Sequence, residues 1–315
     1  MTVDPICSIN SGQDFSWEMI DNTWYSVNGN NVLKIKIKDK QSYNFPNISK
    51  LKNRFEFDSF PYYDGWEKKY FRLDDNFDRI KKSFSKDGLI SELMEKYKGL
   101  RILRQEPMQC IFSFACASNN NIPRIKKMMK NLSKKFGEKI MTDNLEFFTF
   151  PTSKKLDEAT NNQLKECGVG YRYKVIKTIA NKIVNKELDF DYLKETDYNK
   201  AKMELLKVYG IGNKTADCVL LFSLEKLEAF PIDLWINRIL NMYYQNLSLV
   251  SLKVNTIKHE SADVNEHSNE IIIKKINPDR YDKIYTNVRK YFGRYCGYAQ
   301  QYLYYHIRNN SNRKW

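Results

Sequence analysis

Two residues, Lys214 and Asp233, carry the chemistry that stands out in this chain. Lys214 falls within Val208-Tyr-Gly-Ile-Gly-Asn-Lys-Thr-Ala-Asp-Cys218, beside a glycine-punctuated turn, and Asp233 follows in Pro231-Ile-Asp-Leu-Trp235. Backbone N–H groups left unpaired at a glycine hairpin and a helix start form an anion site, for which phosphate is the natural guest. A phosphate cradle with an amine and a carboxylate close by suits gripping a DNA backbone and cutting a base from it. Such a hairpin holds DNA without reading its sequence.

The elements that must position these groups can be read from composition. Ala201 to Val208 has helical composition, Gly210-Ile-Gly212 supplies backbone freedom for a tight reversal, and Asn213 can start a second helix. The pattern predicts a helix-hairpin-helix. In the second helix Ala216, Val219, Leu220 and Ser223 recur at three- and four-residue spacing and are expected to face the core, flanked by Leu224. Each feature taken alone has a plainer reading. A G-x-G between helices is more often a C-cap followed by an N-cap. Lys214 alone would be a solvated surface lysine, and Asp233 a simple helix cap. The combination favours chemistry.

The chain of 315 residues has length for two domains with substantial cores, and its 42% hydrophobic and 14% aromatic content excludes disorder. A net charge of +14 favours a polyanionic partner, although abundant Lys, Asn, Ile and Tyr also reflect AT-rich coding. Aromatics among the basic residues add surfaces that can stack on exposed bases. The six cysteines are dispersed, so neither a structural metal nor a disulfide framework is expected. With three histidines, two of them in a polar stretch, a histidine-based metal hydrolase is disfavoured. No apolar run suggests a signal or a membrane span, so a soluble intracellular protein is expected.

Short aromatic or β-branched runs at Phe15 to Met19, Trp24 to Val27 and Val32 to Ile37 suggest an antiparallel sheet. From about Phe77 the pattern turns helical, with Ile80, Phe84, Leu89, Ile90, Leu93 and Tyr97 spaced for buried faces. The expected class is α+β: a sheet domain over residues 1–100 with flanking helices, then a helical domain over 101–315. The polar stretch from Asn246 to Lys275 reads as a mobile insertion, with a short strand at Ile271 to Ile273.

Three more segments join helices or line them. Asn119 to Asn121 is a turn whose amides could also meet base edges. Gly168-Val-Gly-Tyr-Arg172 presents an aromatic ring beside a guanidinium. Tyr298, Gln300, Tyr304 and Tyr305 sit on a helix near the end, as core packing or as the wall of a base pocket.

Together these motifs carry a resemblance. Leu103-Arg-Gln-Glu-Pro, Cys-Ile-Phe-Ser-Phe, Ser-Asn-Asn-Asn-Ile, Gly-Val-Gly-Tyr-Arg, Gly-Ile-Gly-Asn-Lys-Thr-Ala-Asp-Cys, Pro-Ile-Asp and Gly-Tyr-Ala-Gln come in the order found in the eukaryotic-type 8-oxoguanine DNA glycosylase/lyase family. That family belongs to the helix-hairpin-helix glycosylases. The resemblance spans roughly residues 77 to 310, and Ser11-Gly-Gln13 resembles the family's opening.

The resemblance implies a bifunctional enzyme that flips out and excises 8-oxoguanine opposite cytosine, then cleaves the strand by β-elimination. Lys214 would attack the sugar and form a Schiff base, and Asp233 would stabilise the cationic sugar. A lysine attacks only as a free amine, so the site must favour the uncharged form. Gly12 would offer its carbonyl to the N7 proton of the lesion, Cys218 and Tyr304 would sandwich the ring, and Gln300 would meet its Watson–Crick edge. Tyr171 would wedge into the duplex, Asn119 would fill the vacated space, and Arg124 with Arg172 would read the orphaned cytosine. Gly210, Gly212 and Thr215 would lie against the backbone.

The resemblance implies no cofactor beyond an optional structural cation on the hairpin carbonyls, damaged double-stranded DNA as partner, no membrane, and a monomer. Some positions depart from the family: Trp235 replaces a common histidine near the phosphates, Tyr304 a phenylalanine, and Phe222 a methionine near the pocket. Two alternatives stand against this reading. A monofunctional alkylpurine glycosylase would lack Lys214, and a non-catalytic DNA-holding module leaves the pairing of Lys214 with Asp233 unexplained.

Overall fold

The computed structural model describes residues 3–38, 55–245 and 277–310. The expected insertion at 246–275 and its short strand lie outside them.

The chain opens with a short helix, α1 (Pro5–Ile9), capped by Asp4, whose carboxylate accepts from Cys7 N at 2.9 Å. Strands β1 (Glu18–Ile20), β2 (Thr23–Asn28), β3 (Asn31–Ile37) and β4 (Phe55–Phe60) then form one antiparallel sheet in sequence order. Trp24 pairs with Ile35, and Ile35 with Phe57, which fixes the register. The run expected as a strand at Phe15 to Met19 becomes one only from Glu18. Tertiary packing takes the residues before it: Phe15 lies edge-on to Phe114 at 5.4 Å, and the Trp17 indole donates to the Tyr70 hydroxyl at 2.7 Å.

Both faces of β3 are covered. Leu33 and Ile35 pack on Trp17, Trp66 and Phe71, whereas Val32 packs with Tyr25 and Phe147 on the other side. That second cover is the hairpin of β5 (Lys139–Thr142) and β6 (Leu145–Phe148). Lys34, on the same face, is buried and pairs with Asp143 at 2.9 Å.

Helices α2 (Trp66–Tyr70), α3 (Phe77–Ser83) and α4 (Gly88–Lys96) lead into α5 (Pro107–Ala117) and α6 (Ile122–Phe136), each of the last two starting next to a proline. After the hairpin come α7 (Ser153–Glu158), α8 (Asn161–Leu164), α9 (Tyr173–Val184), α10 (Phe190–Glu195), α11 (Tyr198–Leu206), α12 (Asn213–Ser223), α13 (Leu234–Tyr243), α14 (Pro278–Phe292) and α15 (Cys296–Asn309). One large apolar core joins Phe15, Ile80, Leu93, Phe112, Leu220, Ile236, Ile284 and Leu303. Ile80, Phe84, Ile90 and Leu93 are buried as their spacing predicts, whereas Leu89 and Tyr97 pack against the core only partly buried. The class is α+β, a sheet followed by a mainly helical region. No helix among the described residues is long and apolar enough to cross a membrane. All six cysteines are buried.

Candidate active site and nucleic-acid interface

Helices α11 and α12 are joined by the expected hairpin. Ile211 N donates to Val208 O at 3.0 Å, and Ile211 itself is buried, so the turn is closed and pinned. Gly210 has φ +85°, and a Cβ there would come within 2.3 Å of Val175 Cγ2, so α9 packs against the turn where only glycine fits. Gly212 is different: nothing lies within 4 Å of a Cβ built on it, and it caps α12 toward open space. Helix α12 departs from the sequence expectation of one apolar face. Thr215 to Ser223 are all buried, so the helix runs through the core enclosed on every side. Its solvent access is confined to the first turn, where Asn213 and Lys214 are partly exposed.

Lys214 and Asp233 converge at this end of α12. The Lys214 amine lies 5.0 Å from the centroid of the Phe114 ring, so its seat is aromatic. Asp233 caps α13, its Oδ1 accepting from Ile236 N at 2.8 Å, with the Trp235 N–H also directed at it. Burial pushes the Asp233 carboxyl above its usual range, and the positive field of Lys214 together with the cap donors pulls it back. The amine and the carboxylate therefore share one site electrostatically. Sequence reasoning named both, but Phe114, one of many apolar residues in α5, carried no local signal of its place beneath the lysine.

Four further residues expected at a base pocket lie around Lys214 and Asp233. Cys218, one turn along α12, is buried, and its thiol is pushed up to about 12 by burial, with Lys214 opposing and Asp233 reinforcing. The phenol of Tyr304 is likewise raised by burial and by the nearby Asp233 carboxylate. Phe222 stacks on Phe114 with ring centroids 5.5 Å apart and planes at 20°. Gln300 is buried and donates to Pro231 O at 3.1 Å, while its Oε1 is buried without a partner among the described residues.

Gly12 is held against this wall by its neighbours. Gln13, fully buried, donates to Ser11 Oγ at 2.7 Å and Arg101 O at 2.8 Å and accepts from Leu103 N at 2.8 Å. Gln301 donates to Ser11 O at 3.0 Å, tying the loop to α15. Gly12 has φ +80°, and a Cβ on it would lie 2.7 Å from Arg308 Nη1 and 2.9 Å from Tyr304 Cε1.

A second cluster lies at the surface. Tyr171 is 64% exposed, carried by a turn in which Gly168 and Gly170 both have positive φ. The Arg172 guanidinium lies 4.5 Å from the Tyr171 ring. Arg172 itself is buried and donates to Ser118 O and Asn119 O, bracketing the turn where Asn119 is exposed at φ +50°. Arg124 is exposed at the start of α6, with its backbone N–H capped by Asn121 at 3.0 Å. Trp235 is partly exposed on α13 beneath the Arg238 guanidinium, 4.9 Å from the ring. Thr215 is buried behind the hairpin.

One polar cluster escaped sequence reasoning. Asp217, between Lys214 and Cys218 in sequence, is fully buried and accepts from Tyr198 OH at 2.7 Å, Tyr281 OH at 2.6 Å and Lys202 Nζ at 3.2 Å. Burial pushes its carboxyl up, with the Lys202 charge and the two hydroxyls opposing. Its donors come from α11 and α14, and only the folded chain brings them together.

Residues 2–111 match the family described as 8-oxoguanine DNA glycosylase, N-terminal domain, and residues 112–252 match the HhH-GPD superfamily base excision DNA repair protein. The chain is 36% identical over 252 residues to the N-glycosylase/DNA lyase of Saccharomyces cerevisiae, covering 75% of this chain and 64% of that protein. It is 30% identical over 179 residues to a probable N-glycosylase/DNA lyase of Methanothermobacter thermautotrophicus, covering 50% of this chain and 57% of that one. It thus spans less than two thirds of either curated relative's length. A solved structure of Clostridium acetobutylicum 8-oxoguanine glycosylase/lyase, bound to double-stranded DNA with cytosine opposite 8-oxoguanine, superposes with a TM-score of 0.75. The two are 31% identical, with coverage of 98% of this chain and 92% of that one. The helix-hairpin-helix agrees with these matches, and the chain belongs to the 8-oxoguanine DNA glycosylase family.

Proposed function

We propose that this protein is a bifunctional glycosylase and lyase that excises 8-oxoguanine opposite cytosine and then cleaves the DNA strand. The observation that carries this reading is the convergence of Lys214 and Asp233 among the residues that would wall a base pocket, with Cys218 and Tyr304 next to the pair, Gly12 against Tyr304 and Gln300 on the same helix as Tyr304. A base can reach such a pocket only after leaving the stack, at a cost of a few kcal/mol. Tyr171, exposed and backed by Arg172, would take its place in the duplex.

In the pocket the flipped ring would lie between Cys218 and Tyr304. The unpartnered Oε1 of Gln300 supplies an acceptor for the N–H groups on the guanine Watson–Crick edge, which a pyrimidine lacks in that pattern. The Gly12 carbonyl would accept the N7 proton that separates the oxidised base from guanine. A site built to receive that one hydrogen discriminates because guanine leaves an acceptor unpaired.

The reaction follows from the pair. The free amine of Lys214 attacks C1′, the C1′–N9 bond breaks with its electrons passing to the base, and the base takes up a proton. Asp233, ionised, opposes the positive charge that builds on the sugar. The amine loses a proton as the ring opens to the iminium. Loss of a C2′ proton then expels the 3′ phosphate. A cation on the hairpin would share carbonyls such as Val208 O, which accepts from Ile211 N and keeps a second lone pair. No step runs through it.

Borohydride tests this reading. It should trap the protein covalently on a duplex containing 8-oxoguanine opposite cytosine, and Lys214→Gln should abolish both the adduct and strand cleavage. Trapping that survives the substitution would assign the nucleophile elsewhere.

A further inference from the structure

We propose that Tyr281 is a positioning residue that holds Lys214 and Asp233 in register for base excision, an inference that rests on the functional reading above. Lys214 and Asp217 sit on α12, whereas Asp233 follows Ile232 in the segment leading to α13. The hydroxyl of Tyr281, on α14, donates to Asp217 Oδ2 at 2.6 Å and accepts from Ile232 N at 3.1 Å. One phenol oxygen therefore ties the helix that carries the amine to the residue next to the carboxylate.

The surrounding cluster makes this tie stiff. Tyr198 OH donates to Asp217 Oδ1 at 2.7 Å, and Lys202 donates to Tyr198 OH at 3.0 Å. The Lys202 ammonium also lies 4.9 Å from the ring centroids of both Tyr281 and Tyr285. Tyr281 and Asp217 are 4% and 0% exposed, so no water competes for these bonds. Well-packed apolar side chains would stabilise such a place as well as a buried ionic cluster does. What the cluster adds is direction, because each hydrogen bond has a fixed angle and length. Here that direction sets the amine against the carboxylate.

The two reactions of the site make different demands on register. Base excision needs the amine at C1′ and the carboxylate against the developing charge together. Cleavage of a preformed abasic site starts from an aldehyde, which the amine attacks with no base leaving. Tyr281→Phe keeps the ring and removes the tie. Single-turnover excision of 8-oxoguanine should fall about tenfold or more, as expected for a small misplacement of a reacting group. Cleavage of an abasic duplex by the same preparation should keep most of its rate.

Tyr285→Phe is the comparison. It removes a hydroxyl from the same aromatic cluster that reaches Glu228 O at 3.4 Å and Tyr198 but bonds neither Asp217 nor the Ile232 backbone, and should leave both rates near wild type. If Tyr281→Phe does not fold, Asp217→Asn, which turns one acceptor into a donor, should shift the same ratio. An unchanged ratio of excision to abasic cleavage in the folded variant would overturn the proposal. A wild-type protein that cleaves abasic DNA but excises nothing would instead overturn the glycosylase reading itself.

Discussion

Gly12 approaches Tyr304 so closely that a β-carbon placed on it would lie 2.9 Å from Cε1 of the ring, and its φ of +80° is one that L-residues rarely adopt. Gly12→Ala therefore meets two obstacles, backbone strain of about 1–2 kcal/mol and a methyl group in the pocket wall. Excision of 8-oxoguanine should fall about 100-fold from misplacement of the base, while binding to undamaged duplex, measured by fluorescence anisotropy, should hold. Excision that survives would remove Gly12 from the pocket.

Asp233 has a carboxyl raised by burial, with Lys214 opposing. Between the usual carboxylate pKa and the raised one, the folded chain binds more protons than the unfolded chain, so stability from this group falls as pH rises through that window. Above the window its charge is a standing cost. Asp233→Asn keeps an oxygen for Ile236 N and removes the charge, so the neutral-pH melting temperature should hold or rise. Excision should drop about 100-fold or more, because the developing cation loses its counter-charge. In the wild type, the acid limb of the excision profile should lie above the range of an exposed aspartate. A melting temperature that falls together with activity would point to a structural role.

The hairpin glycines separate folding from binding. Gly210→Ala would drive a methyl into Val175 at positive φ and should lower stability by about 1–3 kcal/mol in urea titration. Gly212→Ala meets nothing within 4 Å, and φ −98° suits any residue, so stability should not change. Its methyl projects where a phosphate would approach, and DNA affinity should weaken roughly tenfold, the worth of one charge-assisted hydrogen bond. The opposite pattern would mean that the turn does not face DNA.

Asn119 sits at φ +50°, a conformation that glycine adopts freely. Asn119→Gly thus removes the amide without straining the turn. Discrimination between cytosine and the other opposite bases should narrow, while single-turnover excision opposite cytosine falls less than for Arg172→Ala. That second change also frees the carbonyls of Ser118 and Asn119 that Arg172 holds. Equal loss against every opposite base would deny Asn119 a reading role.

The local parts of this site were legible in the sequence, and the long-range parts were not. Glycine pairs, an Asn start and an Asp cap are decided within a few residues, so the hairpin and the Asp233 cap stand where the pattern places them. Burial of α12 on every side could not be read, because its enclosure comes from distant elements such as α5 and α15. Phe15 has the composition of a strand residue, yet its packing on Phe114 outweighs that local preference. The cradle of Asp217 joins residues from α11 and α14 that no spacing relates.

The buried cysteines have a chemical consequence. Peroxide attacks the thiolate rather than the thiol, and burial holds all six sulfhydryls above their ordinary range, so the reactive form is scarce at neutral pH. A thiol-labelling reagent should find the native chain almost silent and the denatured chain fully reactive. Under oxidising conditions the folded chain thus offers little nucleophilic sulfur, and unfolding is what would expose it.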